Sequence, residues 1–230
     1  MTSSRAIAVL GMHRSGTSTL AGTLRAAGVE FGAVLDKTFR LNPKGLHEAP
    51  SILFMHQDLL ETNQGDWHDP PAEVVWGKLH SAVRDLFIES RAGVPVWGFK
   101  DPRTLLTLEG WFEVLPDLAC AGIFRHPAEV ALSLSQRNQF PLDKCFEIWR
   151  VYNERLLTFQ QQRGFPVMEF VGDAARMRRS FTQMLEQLDL PAGAEALSFY
   201  EPEHKHHDRP DLDLPAPVAA LYRHLQDVAL

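Results

Sequence analysis

A fifteen-residue segment near the start, Ala6–Leu20 (AIAVLGMHRSGTSTL), constrains the fold more than any other part of the chain. It begins with five apolar residues, a run typical of a buried strand, and it ends in serines and threonines, which are typical of a helix start. Between them lies a loop bounded by Gly11 and Gly16. We therefore predict a strand, a loop and a helix in succession, which is a building unit of α/β proteins.

The glycine-bounded loop has the spacing of a phosphate-binding P-loop, with Ser18 at the Ser/Thr position of that motif. The lysine that normally precedes this position is replaced by Thr17, and the nearest cation is Arg14. Backbone N–H groups at a helix N-terminus attract anions, and Gly16 is expected to let the backbone approach the ligand. Further hydroxyl donors are Ser15, Thr17, Ser18 and Thr19. The loop is predicted to bind phosphate without the group that holds the β- and γ-phosphates of ATP or GTP.

The length and composition of the chain limit the classes of protein to consider. Its 230 residues fit one domain over 1–230. The only two cysteines, Cys120 and Cys145, are predicted to be buried and reduced. The formal net charge of −6 argues against a protein that coats nucleic acid.

Membrane insertion is not expected from the sequence. No stretch approaches the roughly 20 apolar residues that a membrane span requires. The first residues, Met1–Arg5, lead directly into the predicted first strand and leave no room for a signal peptide. The sequence therefore favours a cytoplasmic protein.

Strand and helix patterns alternate along the chain. Strands are predicted at 6–10, 94–100, 118–125 and 167–171, with 29–34 as a short strand or a loop. Helices are predicted at 15–27, 49–62, 72–91, 127–137, 142–163, 173–188 and 215–228. The helix at 72–91 rests on the helical spacing of Val75, Leu79, Val83 and Leu86. This alternation predicts a three-layer α/β/α fold, like that of the P-loop NTPases, in which helices cover both faces of a central parallel sheet.

Three of the predicted strands end in polar or charged motifs. These are the glycine-bounded loop, the segment Lys100–Arg103 and the pair Arg125–His126. In open parallel sheets, ligands bind beyond the carboxyl ends of the strands. We therefore expect the three motifs to meet at one site.

Two of these motifs together resemble those of sulfotransferases that use 3′-phosphoadenosine 5′-phosphosulfate (PAPS). Arg14–Ser18 matches the Lys/Arg-Ser-Gly-Thr-Thr/Ser loop that binds the 5′-phosphosulfate in that family. Arg125 and, eight residues later, Ser133 match its pair of residues for the 3′-phosphate. Ser133 is about two turns into the predicted helix, near the same face as the helix start, and Arg125 comes from the strand end beside it. The resemblance extends over roughly Ala6–Leu190 and implies PAPS as co-substrate.

Two further segments add to the resemblance. Phe99–Arg103 is similar to the Lys-Asp-Pro segment of tyrosylprotein sulfotransferases, in which the lysine lies against the transferring group. Asn42–Glu48 is similar to an Asn-Pro-Lys-Gly-aromatic-Glu segment of bacterial sulfotransferase-family proteins, with His47 near the aromatic position. Within the first of these, Asp101 is expected to organise the loop, because a carboxylate beside sulfate would repel it.

The resemblance implies in-line transfer of a sulfuryl group to a hydroxyl or amine, with no metal. Arg14 and Lys100 are the candidates for stabilising the charge on the leaving phosphate and the sulfuryl group. Glu48 is the first candidate for the general base, and His47 and His13 are the alternatives, because histidine needs less pKa tuning near neutral pH. Glu48 could instead be a first-turn helix carboxylate.

The sequence says less about the acceptor and the C-terminal part. A carbohydrate or a small hydroxylated metabolite is expected as acceptor, and Trp67 and Trp76 could stack on sugars or belong to the core. The cluster His204–Asp208 lacks a usual zinc spacing. It is predicted to lie in a solvated surface loop. The resemblance implies an alternative, since a late basic segment contacts the cofactor in many sulfotransferases, and Lys205 and His206 would make that contact here.

Two other classes of function remain open at this point. A P-loop kinase or NTPase would explain the glycine spacing, but Thr17 replaces the lysine, and the nearest aspartate for magnesium is Asp101. A non-catalytic nucleotide-binding protein of the same fold would bind the cofactor and transfer nothing.

Overall fold

A four-stranded parallel sheet forms the centre of the computed structural model, which describes residues 4–35, 45–198 and 212–230. The strands are β1 (Arg5–Leu10), β2 (Val96–Lys100), β3 (Ala119–Arg125) and β4 (Val167–Phe170). Their order across the sheet is β2-β1-β3-β4. In register, Val9 pairs with Lys100, Leu10 with Gly122, and Arg125 with Phe170. The carboxyl ends of all four strands therefore lie along one edge of the sheet.

Nine helices lie within the described residues. They are α1 (Thr17–Ala26), α2 (Pro50–Thr62), α3 (Lys78–Glu89), α4 (Thr104–Val114), α5 (Pro127–Asn138), α6 (Leu142–Arg163), α7 (Ala174–Gln187), α8 (Ala194–Ser198) and α9 (Ala216–Asp227). Proline stands in the first turn of α2, α5 and α9, where its missing N–H costs no helical hydrogen bond.

The alternating side chains of the sheet build two separate hydrophobic cores. Ala6, Ala8 and Leu10 of β1 pack with residues of α2, α4, α5, α6 and α9. Ile7 and Val9 of the same strand pack with residues of α1, α7 and α8. Because successive side chains of a strand point to opposite faces, these cores are the two sides of one sheet. This confirms the predicted three-layer α/β/α fold.

The helix predicted at 72–91 begins later, at Lys78, and most of the apolar stripe that predicted it faces outward, whereas Val83 is partly buried against the core. Val75, Leu79 and Leu86 are 72%, 70% and 65% exposed, whereas His80, Arg84 and Phe87 are buried. Periodicity alone did not distinguish the inner face, because the side chains that α3 buries include a histidine and an arginine. Arg84 lies over the Trp76 ring at 4.9 Å and donates to the carbonyl of Gly110.

Two helices were not predicted. Helix α4 is buried on most sides, including Leu105, Leu108 and Trp111, so its sequence lacks a polar face that would mark it as amphipathic. Helix α8 is only five residues long. The segment predicted at 29–34 makes a single bridge, from Glu30 to Trp97, beside β2.

Both cysteines are free and buried, as predicted. Burial raises the pKa of the Cys120 thiol to about 12, which keeps it protonated at neutral pH. Within the described ranges, no helix is both long and apolar enough to cross a membrane.

Candidate functional site

The loop between β1 and α1 is held in a conformation that depends on glycine. Gly16 has φ 90° and directly precedes the first residue of α1, and Arg14 has φ 67°. A Cβ at residue 16 would lie 2.7 Å from the ring of Phe170, at the end of β4. The sequence indicated only that glycine lets a ligand approach. The structure adds a second reason, since the Phe170 ring occupies the space beside Gly16.

The start of α1 retains hydrogen-bonding capacity for an anion. Within the part of the chain that the structure describes, no side chain caps its N-terminus. The Ser15 side chain is fully buried, and its Oγ has no hydrogen-bond partner among the described residues. Unpaired N–H groups at a helix start and a buried hydroxyl are donors that a bound phosphate would satisfy. Ser15, Gly16 and the first residues of α1 thus fit the predicted phosphate-binding role.

Arg14 joins the two motifs that the sequence assigned to the two ends of PAPS. Its Nε donates to Ser133 Oγ at 2.8 Å, across a separation of 119 residues. Burial, and then the charges of Arg137 and Arg125, lower the pKa of Arg14. Three arginines therefore gather beside the loop, an arrangement that favours an anionic ligand.

Arg125 ends β3 and is bound by a carboxylate that no motif in the sequence indicated. Its Nε lies 2.6 Å from Glu129 Oε2, and its Nη2 lies 2.5 Å from the same oxygen. The guanidinium also lies 5.7 Å from the centre of the Phe170 ring. Glu129, in the first turn of α5, engages Nε and Nη2 and thereby fixes the direction of Arg125.

Lys100 and Glu48 form a buried ion pair at the end of β2. Lys100 Nζ lies 2.6 Å from Glu48 Oε1, and the two side chains are 3% and 8% exposed. Nζ also donates to the carbonyl of Leu46 at 3.1 Å and approaches Ser18 Oγ at 3.5 Å. The structure therefore brings Lys100, Glu48 and the first turn of α1 together. His47 precedes Glu48, is buried, and has φ 54°.

Asp101 organises the turn after β2 through three hydrogen bonds. Its Oδ1 accepts from the backbone N–H and the Nη1 of Arg103, both at 3.0 Å. Its Oδ2 lies 3.1 Å from His56 Nδ1. Burial alone would raise the pKa of Asp101, but the charge of Arg103 and the hydrogen bonds from His56 and Arg103 hold it well below its usual range. Asp101 is thus an anionic anchor for this turn.

Trp111 fixes the tautomer of His56. Its Nε1–H, which can only donate, lies 3.0 Å from His56 Nε2. His56 Nε2 must therefore accept, and the proton on His56 Nδ1 is donated to Asp101. Nothing in the sequence singled out His56 or Trp111, because their partners are distant in the chain.

His13 lies beside an aromatic cluster at the edge of the loop. Its ring is 4.7 Å from that of Trp67 and 6.1 Å from that of Tyr152. The centre of the Trp67 ring lies 6.1 Å from that of the Phe140 ring. The backbone carbonyl of Trp67 accepts a hydrogen bond from the Tyr152 hydroxyl at 2.9 Å. Trp67 and Phe140 are both partly buried and pack against the core.

The predicted site residues within the described ranges cluster at the carboxyl edge of the sheet, around the loop, Lys100 and the Arg14–Ser133 contact. Thr19 lies in the first turn of α1. Lys205 and His206 lie outside the described residues, so their predicted contact with the cofactor stays a prediction. Among the described residues, no group of histidine, cysteine and carboxylate side chains could hold a metal ion.

Similarity to known proteins is found only at the level of structure. No protein-family model matches the sequence, and no curated protein matches it. The sulfotransferase domain of the olefin synthase of Synechococcus PCC 7002 superposes with a TM-score of 0.60 at 17% identity, covering 99% of this chain and 95% of that domain. Sulfotransferase STF9 of Mycobacterium avium superposes with a TM-score of 0.57 at 16% identity, covering 97% of this chain and 76% of STF9. The chain therefore has the three-layer fold of these bacterial sulfotransferases.

Proposed function

We propose that this protein is a sulfotransferase that moves a sulfuryl group from PAPS to a hydroxyl of a small acceptor. The observation that carries the proposal is the hydrogen bond from Arg14 Nε to Ser133 Oγ at 2.8 Å. These residues belong to the two motifs that resemble the 5′- and 3′-phosphate sites of PAPS-dependent enzymes. Their contact supports one ligand that spans both motifs.

The 5′-phosphosulfate would lie over the glycine-bounded loop. The N–H groups at the start of α1, the Ser15 hydroxyl and the hydroxyls of Thr17, Ser18 and Thr19 are its donors in this proposal. Because neutral donors neutralise little charge, Arg14 and Lys100 are needed to balance the phosphate and the sulfuryl oxygens. Lys100 Nζ, 3.5 Å from Ser18 Oγ, is close enough to the first turn of α1 to act there.

The 3′-phosphate would lie between Arg125 and Ser133. The guanidinium that Glu129 holds in place is already oriented, so less conformational freedom is lost when the phosphate binds. Ser133 adds a hydroxyl and is itself held by Arg14. The two phosphate sites are thereby coupled through one arginine.

In the proposed reaction, the acceptor oxygen attacks sulfur in line with the bond to the 5′-phosphate. The acceptor loses its proton to a base, the new O–S bond forms, and the S–O bond to the phosphate breaks. The electron pair of that bond stays on the phosphate, giving 3′-phosphoadenosine 5′-phosphate (PAP) and a sulfate ester. Charge stabilisation by Arg14 and Lys100 is the main contribution of the protein.

The acceptor side of the site favours a hydroxylated ring. The partly buried rings of Trp67 and Phe140 have centres 6.1 Å apart, and the Trp67 ring lies 4.7 Å from that of His13 in the loop. Aromatic faces of this kind stack on the apolar faces of sugars and of aromatic alcohols. A carbohydrate or a related metabolite is the acceptor class that we propose.

The state of Asp101 disfavours the alternative of a P-loop kinase. A magnesium-dependent enzyme of that class needs an aspartate that can reach the metal. Both oxygens of Asp101 are already engaged, by Arg103 and His56, and its side chain is fully buried. The sulfotransferase proposal gives Asp101 only the structural task that its contacts support.

The role of Arg125 is tested by calorimetric titration with PAP and with 5′-AMP, which lacks the 3′-phosphate. We expect the native protein to prefer PAP, and we expect Arg125→Ala to weaken PAP binding by about 30-fold, since an arginine–phosphate contact is worth roughly 2 kcal/mol. Binding of AMP should change little. Arg150→Ala is the matched control, because Arg150 forms ion pairs within one helix on the surface. Equal PAP affinity in Arg125→Ala and the native protein would contradict the assignment.

A further inference from the structure

His13 has no task in the binding of PAPS, although it directly precedes Arg14 in the loop. Its Nε2 is buried and has no hydrogen-bond partner among the residues that the structure describes. Its ring is positioned by Trp67 at 4.7 Å and by Tyr152 at 6.1 Å. A buried polar atom without a partner costs free energy, so Nε2 is a position at which a polar ligand group would be favoured.

Burial, together with the net effect of the surrounding charges, disfavours the protonated form of His13. The groups that act on it are Arg103 and Asp101 in the turn after β2, Lys100 at the end of β2, and Arg137 on α5. Tyr152 on α6 also faces the His13 ring. Asp66 and His68, which flank Trp67 in the chain, pair with each other, with 3.1 Å between His68 Nε2 and Asp66 Oδ2. Burial first, and then the charge of Arg103, lower the pKa of His13 well below its ordinary value. At pH 7 the ring therefore has one nitrogen that can accept a proton.

Glu48 is in a different position, although the sequence made it the first candidate for the base. Its Oε1 is bound to Lys100 Nζ at 2.6 Å, and the pair is buried. Protonation of Glu48 would remove the partner of a buried lysine, which is costly. This contact suits a residue that orients Lys100.

We propose that His13 Nε2 takes the proton from the acceptor hydroxyl, while Glu48 holds Lys100 in place. This inference rests on the proposed sulfuryl transfer. With the ring proton on Nδ1, the acceptor O–H bond breaks toward Nε2 as the acceptor oxygen bonds to sulfur. The bond between sulfur and the 5′-phosphate oxygen breaks, and its electron pair leaves with PAP. The imidazolium then returns its proton to water.

The test compares His13→Gln with the native protein in PAP formation from labelled PAPS. The acceptors are glucose, glycerol and phenol in parallel, together with water alone. We expect His13→Gln to lower kcat by about 100-fold or more, the usual contribution of a general base, with PAP affinity unchanged. His224→Gln is the matched control, because His224 is exposed on α9, and it should keep the native rate.

The pH profile separates a catalytic base from a residue that only packs against Trp67. Native activity should fall as the pH drops through the lowered pKa of His13, because the protonated ring cannot accept. That acidic limb should disappear in His13→Gln and persist in Glu48→Gln. Added imidazole should raise the rate of His13→Gly.

Two results would overturn the inference in different ways. Turnover by His13→Gln within threefold of the native rate would exclude His13 as the base and leave the sulfotransferase proposal intact. A native protein that binds no PAP, or that consumes no PAPS under any of these conditions, would contradict the proposed function itself, and the His13 assignment with it.

Discussion

Replacing Lys100 with methionine is expected to lower both the rate of sulfuryl transfer and the stability of the fold. Loss of one charge-stabilising donor typically costs about 100- to 1,000-fold in kcat. Removing one partner of a buried ion pair also leaves the other charge unpaired, which costs about 3 kcal/mol in the free energy of unfolding. Here that charge is Glu48, whose side chain is 8% exposed. Urea denaturation and PAP formation measure the two effects.

The double variant Lys100→Met with Glu48→Gln separates stability from catalysis. Because it removes both charges, most of the lost stability should return, while kcat should stay low. Lys144→Met is the matched control for stability, since Lys144 pairs with the exposed Asp69 at 3.3 Å, and a surface pair contributes about 1 kcal/mol or less. A double variant with native activity would exclude a role for Lys100 in the reaction.

Replacing Asp101 with asparagine is expected to destabilise the turn after β2 by about 3 kcal/mol. The amide can accept from Arg103 with its oxygen, but its NH2 group then faces the His56 Nδ1 proton. If His56 moves that proton to Nε2, it meets the Trp111 Nε1 donor, which lies 3.0 Å away. One clash between donors therefore remains in either tautomer. Asp58→Asn is the control, because Asp58 binds His80 from a side chain that is 63% exposed.

Trp111→Phe should relieve that clash when it is combined with Asp101→Asn. The indole donor is gone, so His56 can carry its proton on Nε2 and accept from the new amide. The double variant should be less destabilised than the sum of the single variants by about 1 kcal/mol, a coupling of the size found between contacting residues. Strict additivity in urea denaturation would contradict the tautomer assigned to His56.

The lowered pKa of Asp101 makes the free energy of unfolding depend on pH. Because its folded pKa is held below the unfolded value, its contribution is present above about pH 4 and is lost as the pH falls further. The native protein should therefore lose stability on acidification below about pH 4, and Asp101→Asn should lose less over the same range. Denaturation curves between about pH 5 and pH 2.5 measure the difference.

The sequence was sufficient to predict the sheet and the edge at which the site lies. Each strand is a short apolar run, and three of them end in polar motifs, so β1, β2, β3 and β4 were all predicted. Parallel strands place their carboxyl ends together, which predicted that the three motifs would lie along one edge of the sheet. Helix α4 was not predicted, because it is buried on most sides and its sequence therefore lacks a polar face.

The side-chain contacts within the candidate site could not be predicted from the sequence. Arg14 and Ser133 are separated by 119 residues, and Lys100 and Glu48 by 52. Motif spacing gives no distance across the fold, so these pairs became visible only in the structure. Their residue types were expected because the phosphate and sulfuryl groups of the proposed co-substrate require cations and hydroxyls.

Residues that act through other residues left no sequence signal. Glu129 holds Arg125, and His56 holds Asp101, yet an isolated glutamate or histidine on a helix is typical of a surface or a core position. Phe170 beside Gly16 is a further example, because the loop glycine already had a sufficient explanation. Such partners are set by the packing of distant elements.

Titration of the native protein with PAP and with magnesium ATP is the decisive test of the proposed function. We expect PAP to bind with a dissociation constant of about 10 µM or tighter, since the site proposed for each of its phosphates carries a cation. Magnesium ATP should bind much more weakly, because Thr17 replaces the lysine of the P-loop and Asp101 is occupied by Arg103 and His56. Tight binding of magnesium ATP together with no binding of PAP at high micromolar concentration would contradict the proposed sulfotransferase function.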